Sequence, residues 1–217
     1  MNPRSRRTRL LRCLPDRYVL TGGDRRQRTL YLTLDDGPDP ERTPRMLDLL
    51  QRHDARATFF MVGDRIERHP QVVERVIAQG HAIGNHSWNH PRFDRITLAE
   101  QLDQIHRTDA VLRAFDGRSD HDVRPPNGVF SPALLLRLAR GGRRIAHWSY
   151  NTLDYMDLPL ERLLQLHRTH AVRSGDILLA HDDTARTLPL LDASLRMWRE
   201  QGFRFDVLAP RAAAGVA

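Results

Sequence analysis

The sequence predicts an α/β domain in which parallel strands are wrapped by helices, as an open sheet or a closed barrel. Three observations carry that expectation. From residue 29 onward, short apolar runs alternate with helix-period segments about seven times, with no repeat at fixed period and no long structureless insertion. Polar, reactive residues gather just after the strands, where barrels and doubly wound sheets build their sites. The length of 217 residues is one domain's worth of chain, enough for a sizeable core.

Taken in order, residues 29–34 (TLYLTL) read as the first strand, followed by a turn at Gly37 and Pro38. Thr43 and Pro44 then read as a helix N-cap and a first-turn proline. Residues 57–62 (ATFFMV) form a second strand, and 70–79 a helix with Val72, Val73, Val76 and Ile77 on one face, stopped by Gly80. A short strand at 81–84 runs into a polar loop. Thr97 and Glu100 make a capping-box pattern that opens a helix to about Phe115. Residues 122–124 suggest a brief strand, and Ser131 and Pro132 open a Leu-rich helix that stops at Gly141 and Gly142. Residues 144–150, 176–181 and 203–207 read as further strands, separated by helices near 159–172 and 187–200.

Composition is globular, at 40% hydrophobic and 28% charged. All 34 basic residues are Arg, and the net charge is +7. The excess is local. Residues 1–28 hold nine Arg against Asp16 and Asp24, while residues 29–217 hold 25 Arg against 25 acids. The expected organisation is therefore a basic N-terminal arm, 1–28, partly mobile, ahead of a single domain, 29–217. A neutral body with 6% aromatics lacks the basic face of interleaved aromatics that nucleic-acid binding needs, so no nucleic-acid partner is expected. The arm could still make peripheral contact with an anionic membrane. It does not read as a secretory signal, because Arg12 and Pro15 interrupt its apolar run, and no window of about 18 apolar residues follows. One cysteine, Cys13, excludes an internal disulfide. The expectation is a soluble cytoplasmic protein, membrane-peripheral at most.

Asp36, His86 and His90 offer one carboxylate and two imidazoles, and the two His at i, i+4 would share a face over one helical turn. Three protein ligands with open positions suit a catalytic divalent metal that holds a water, Zn2+ first, with Co2+, Ni2+ or Mn2+ as alternatives. Each signal alone is weak, since such His pairs are common on exposed helices and Asp-Asp-Gly-Pro is an ordinary turn. The second acid tips the balance. Adjacent carboxylates after a buried strand repel unless a cation neutralises one. With Asp36 on the metal, Asp35 would stand beside the bound water and take its proton. His181, after a mostly apolar strand, would protonate a leaving group.

The segments TLDDGP, HSWNH, RPPNG, LDY and LLAH, in this order over residues 29–181, resemble the five motifs of the NodB-homology polysaccharide deacetylases, a carbohydrate esterase family. The resemblance implies a distorted (β/α) barrel of about seven parallel strands. It also implies metal-dependent removal of an N-acetyl group from an amino sugar in an oligo- or polysaccharide. Carried over position by position, Asp35 is the base, and Asp36, His86 and His90 bind the metal. Arg124 orients Asp35, Asp154 orients His181 as the acid, and Leu179 lines the pocket for the acetyl methyl. The backbone N–H of Asn127 faces the oxyanion, and Ser87 supports the histidine turn. Asn127 stands where the family usually carries an aromatic residue, Tyr155 where Trp is common, and Asn151 where an acid is frequent. These departures touch the sugar groove rather than the chemistry. Two alternatives remain open: removal of another acyl group, such as formyl, from a lipid-linked sugar, and a catalytically silent carbohydrate-binding relative. The complete set Asp35, Asp36, His86, His90 and His181 argues against the second.

Overall fold

The fold is given by a computed structural model that describes residues 2–4 and 6–209. Residues 1 and 5 of the expected arm and residues 210–217 of the expected domain lie outside the described residues. The chain begins with α1 (Arg6–Leu11) and β1 (Val19–Leu20). Next comes β2 (Thr29–Asp35), whose Leu30, Leu32 and Leu34 have no exposed surface, the near-continuous burial of a central parallel strand. It is followed by α2 (Arg42–Arg52), the wholly buried β3 (Ala57–Met61), α3 (Gly63–Arg68), α4 (Pro70–Ala78) and β4 (Ala82–Asn85).

The cap reading at Thr97 holds for α5 (Leu98–Asp116). Thr97 Oγ1 accepts from the Glu100 N–H at 3.3 Å, the Glu100 carboxylate accepts from the Thr97 N–H at 2.7 Å, and the helix stops at Gly117 with φ of 72°. Ser131 likewise caps α6 (Pro132–Arg140), accepting from the Leu134 N–H at 3.1 Å. The chain closes with β5 (Ile145–Ala146), β6 (Tyr150–Asn151), α7 (Leu160–Thr169), β7 (Ile177–His181), α8 (Thr187–Glu200) and β8 (Arg204–Phe205).

The pairings described are parallel. The main sheet runs β4-β3-β2-β7-β6, β8 joins β2 at Thr29 and Leu30, and β1 pairs with β5. Val123 bridges Asn85 at the end of β4 to Ile145 of β5. The sheet therefore curves round toward itself without forming a closed ladder, because the return from β6 to β4 passes through residues 145–151 and single bridges at Val123. Leucine, phenylalanine and valine side chains from β2, β3, α2, α4 and α8 fill the main core around Trp198.

Three expectations need correction. The strand expected at 144–150 is two short strands, because hydrogen bonding changes partner within it: the His147 N–H donates to Leu20 of β1, whereas the Ser149 N–H donates to Ile177 of β7. Thr43 does not cap α2. Glu41 holds the cap position, and the Thr43 hydroxyl accepts from the Asp39 N–H and donates to Asp182. The charge boundary at residue 28 is not a structural one. Val19 is fully buried and pairs with Ile145, the Gly23 N–H donates to Gly175, and Arg4 forms an ion pair with Asp176 at 2.6 Å. Charge counting could not see this, because apolar residues make the join. Among the described residues no helix is long and apolar enough to cross a membrane.

Candidate active site

Parallel strands bring their carboxyl ends to one edge, and the reactive motifs sit there. Asp35 is the last residue of β2 and lies in register with His181, the last of β7. Asp36 follows with φ of 77°, which swings its carboxylate across the edge towards β4. His86 follows β4, and His90 is brought back beside it with ring centroids 4.9 Å apart.

The histidine pair does not sit on a helical turn, as its spacing suggested. Residues 86–90 form a loop with left-handed backbone at Ser87 (φ 69°) and His90 (φ 57°). That loop is pinned from several sides. The Asn85 side-chain oxygen accepts from the Ser87 N–H, Ser87 Oγ accepts from the His90 N–H, and Gln104 of α5 accepts from the N–H groups of Trp88 and Asn89. The Ser87 role expected from sequence is thus met by its hydroxyl.

Asp36 Oδ1 lies 3.3 Å from His86 Nε2 and 3.2 Å from His90 Nε2, and the three ligand atoms fall within 4.8 Å of one another. The same oxygen is buried and, among the described residues, has no hydrogen-bond partner. His86 Nδ1 faces the Arg124 carbonyl at 2.6 Å, which can only accept, so Nδ1 carries a proton and Nε2 is the nitrogen left to bind a cation or a second proton. A buried, unsatisfied carboxylate oxygen facing two imidazole nitrogens fits a divalent cation. Burial works against a charge on Asp36, but His86, His90 and His181 outweigh it and hold the carboxyl below the ordinary range. Burial also disfavours protonation of His86, yet Asp35 and Asp36 prevail and raise it. For His90, burial and the neighbouring His86 win, and its pKa falls.

Asp35 is held from the opposite side. Arg124, fully buried, donates from Nη1 to Asp35 Oδ1 at 2.7 Å and to Thr33 Oγ1 at 2.6 Å, and from Nε to the Ala146 carbonyl at 3.1 Å. Asp35 Oδ2 remains facing the cluster, 3.8 Å from His86 Nε2.

His181 and Asp154 form a second unit. His181 Nδ1 donates to Asp154 Oδ1 at 3.0 Å, while Asp154 Oδ2 accepts from the His181 N–H at 2.8 Å and from Thr187 Oγ1 at 2.6 Å. Asp154 is fully buried, and burial is overcome by His181, which keeps the carboxyl below its ordinary value. Burial opposes the charge on His181, but the Asp154 hydrogen bond and the charges of Asp154, Asp35 and Asp36 push its pKa up to about 9.

The expected groove residues are more dispersed. Tyr155 is 56% exposed, with its ring perpendicular to that of His181 at 5.6 Å. Leu179 is buried in β7, in register with Thr33. Asn127 is exposed in a left-handed conformation (φ 57°) that asparagine tolerates well. Among the described residues neither Leu179 nor Asn127 hydrogen-bonds to the cluster.

Several supporting residues were not singled out from sequence. Thr33 accepts from Arg124, and Thr187 donates to Asp154. Thr33 lies inside the first motif, two positions before Asp35, where strand alternation puts both side chains on one face. Arg65 of α3 donates to the Asp36 carbonyl and to Asp183. His167 donates from Nε2 to the Thr152 carbonyl at 2.9 Å and so holds the loop that carries Asp154. Asp182 is buried under the Asp35–Pro38 turn, so close that a Cβ on Gly37 would lie 2.4 Å from its carboxylate. Burial pushes its pKa up to about 7, reinforced by Asp183 and Asp36.

Comparison with known proteins shows the family to which this chain is similar. The family model described as polysaccharide deacetylase matches residues 22–146. A peptidoglycan-N-acetylglucosamine deacetylase of Bacillus cereus is 32% identical over 204 residues, covering 88% of this chain and 91% of that protein. A chitooligosaccharide deacetylase of Bradyrhizobium is 33% identical over 156 residues, covering 71% of each. The solved structure of a peptidoglycan N-acetylglucosamine deacetylase in complex with 4-naphthalen-1-yl-N-oxidanyl-benzamide superposes with a TM-score of 0.80 at 30% identity, over 87% of this chain and 89% of that one. The parallel α/β fold is that of these enzymes, and the chain belongs to the polysaccharide deacetylase family.

Proposed function

We propose that this chain is a metal-dependent hydrolase that removes the N-acetyl group from an amino sugar in an oligo- or polysaccharide. One observation carries the reading: the unpartnered Asp36 oxygen faces His86 and His90 between a locked carboxylate, Asp35, and a protonated imidazole, His181. Asp36, His86 and His90 would hold the ion, Zn2+ first and Co2+, Ni2+ or Mn2+ as alternatives, and a bound ion supplies Lewis acidity and a more acidic water.

The chain's own groups then divide the proton work. Arg124 occupies Oδ1 of Asp35, so Oδ2 is the oxygen free to accept a proton from the attacking water. Asp154 takes the Nδ1–H of His181, so Nε2 carries the proton that the departing amine receives as the C–N bond breaks. The products are acetate and a free amino sugar. The backbone N–H of Asn127 donates to the developing oxyanion, Leu179 receives the acetyl methyl, and the exposed ring of Tyr155 offers a face to the sugar.

The named relatives act on peptidoglycan and chitooligosaccharide, which supports a β-linked N-acetylglucosamine-type glycan as substrate class. A cytoplasmic location, with peripheral contact to anionic membrane through the Arg-rich arm, belongs to the same proposal and rests on the charge of residues 1–28. The test is acetate release from a panel of N-acetylated glycans by metal-stripped protein to which Zn2+, Co2+, Ni2+ or Mn2+ is returned. Restored turnover on at least one glycan is expected. Protein that takes up metal and releases acetate from none of them overturns the proposal.

A further inference from the structure

We propose that the N-terminal arm and the amino-terminal edge of the sheet together form a binding site for a phosphate-class anion, at the end opposite the catalytic edge. A cavity of about 290 Å3 opens there, lined by Arg4, Thr8, Arg9, Arg12, Ser149 and Arg173. Four guanidinium-bearing side chains from two distant parts of the chain thus border one small space.

Asp176 answers only part of that charge. Its Oδ2 lies 2.6 Å from Arg4 Nη2 and its Oδ1 3.9 Å from Arg12 Nη2. The same carboxylate also accepts from the Ser149 hydroxyl at 2.8 Å and the Arg173 N–H at 2.7 Å, so its lone pairs are committed. Among the described residues neither Arg9 nor Arg173 has a carboxylate partner within 4.0 Å of its guanidinium. Arg12 is pushed below its ordinary pKa, by burial first and then by Arg25, against the opposing pull of Asp176, with Arg4 and Arg173 adding to the effect. Among the described residues Asp176 is the one carboxylate paired with any of these four arginines.

Guanidinium groups are planar forks that match the oxygens of phosphate, and a phosphate offers more acceptors and more charge than a carboxylate to several arginines at once. Two sources present that chemistry: free phosphate and the headgroup of an anionic lipid. Leu10, 75% exposed on α1 next to Arg9, gives the basic patch an apolar neighbour of the kind that meets a lipid surface.

The location separates this site from catalysis. Ser149 and Asp176 precede β6 and β7, whereas Asp154 and His181 lie beyond or at the far ends of the same strands. Five residues of β7 at about 3.3 Å each put roughly 15 Å between the two ends. An anion at the amino-terminal edge leaves the catalytic edge open to a glycan.

The test uses the metal-loaded full chain, titrated with sodium phosphate against sodium chloride at constant ionic strength, with Tm as the readout. In a second arm the protein is sedimented with phosphatidylcholine vesicles, with or without phosphatidylglycerol. Arg9→Ala/Arg173→Ala removes two exposed arginines from the cavity, and Arg113→Ala/Arg162→Ala removes the same charge from exposed positions elsewhere. Wild type and the control pair are expected to respond alike. The cavity variant is expected to bind about tenfold more weakly or worse, the loss that follows from removing charge-assisted hydrogen bonds, with acetate release unchanged. A response to phosphate alone assigns the site to a free anion, and a response to phosphatidylglycerol vesicles assigns it to a headgroup. No response in wild type to either probe, or equal responses in the cavity variant and the control, overturns the proposal.

Discussion

Arg124 and Asp35, 89 residues apart in the chain, form an ion pair of 2.7 Å in which the arginine has no exposed surface. The guanidinium also lies 4.0 Å from the centre of the Phe60 ring, and among the described residues its buried Nη2 has no hydrogen-bond partner. A charge so placed depends on its counter-ion, because removing either member strands the other in the interior.

Arg124→Gln is accordingly expected to lose about 3–5 kcal/mol of folding stability, read from urea denaturation. The double variant Asp35→Asn/Arg124→Gln should lose clearly less than the sum of the two single changes. Strict additivity would show that the two groups are not coupled.

Asp35→Asn should keep its metal, since Asp36, His86 and His90 would supply the ligand atoms. Turnover should fall by about 10²–10⁴, the usual worth of a general base. A variant that loses metal instead would reverse the roles of the two aspartates.

His86→Ala should cost both metal and activity, and an active metal-free variant would end the ligand assignment. Asp35 and Asp36 raise His86, so a proton competes with the cation for Nε2. Metal affinity measured by competition with a chelator should weaken as pH falls through the histidine range and recover as it rises.

His181 titrates near 9 rather than 6.5 because Asp154 holds its charged form against burial. A raised pKa stabilises the fold fully below the ordinary value, and that contribution disappears as pH rises through about 9. kcat/KM should decline over the same alkaline window, where the acid is lost. Asp154→Asn should move that limb downward towards 6.5, and an unmoved limb would remove His181 from the acid role.

Asp182 carries the opposite kind of penalty. Its carboxyl keeps its proton in the fold to about pH 7 but only to 3.8 in the unfolded chain, so stability falls between those values and stays reduced above them. Asp182→Asn should erase that slope and gain on wild type as pH rises from 4 to 7. Parallel stability curves for the two proteins would refute the assignment.

Much of this was legible from local chemistry. The strands β2, β3 and β7, the Thr97 and Ser131 caps and the five motifs follow from patterns that a few neighbouring residues decide. What escaped was set by distant partners. The six-residue α3 begins at Gly63, where a Cβ would lie 2.5 Å from the Trp88 ring, a constraint that only the folded chain reveals. The His86–His90 loop takes its shape from Asn85 and Gln104, not from helical period. The arm looked detached because its arginines dominate the count, while Val19 and Leu20 do the joining.

The curved parallel sheet has a kinetic consequence. The proposed catalytic groups come from β2, the loop after β4, residue 124, the loop after β6 and the end of β7, so no single element of the chain contains them all. Such long-range closure is slow relative to helix formation, and the Arg124–Asp35 contact alone closes a loop across 89 residues. Recovery of acetate release after dilution from denaturant should therefore trail the return of helical ellipticity, making turnover a clock for the last step of assembly.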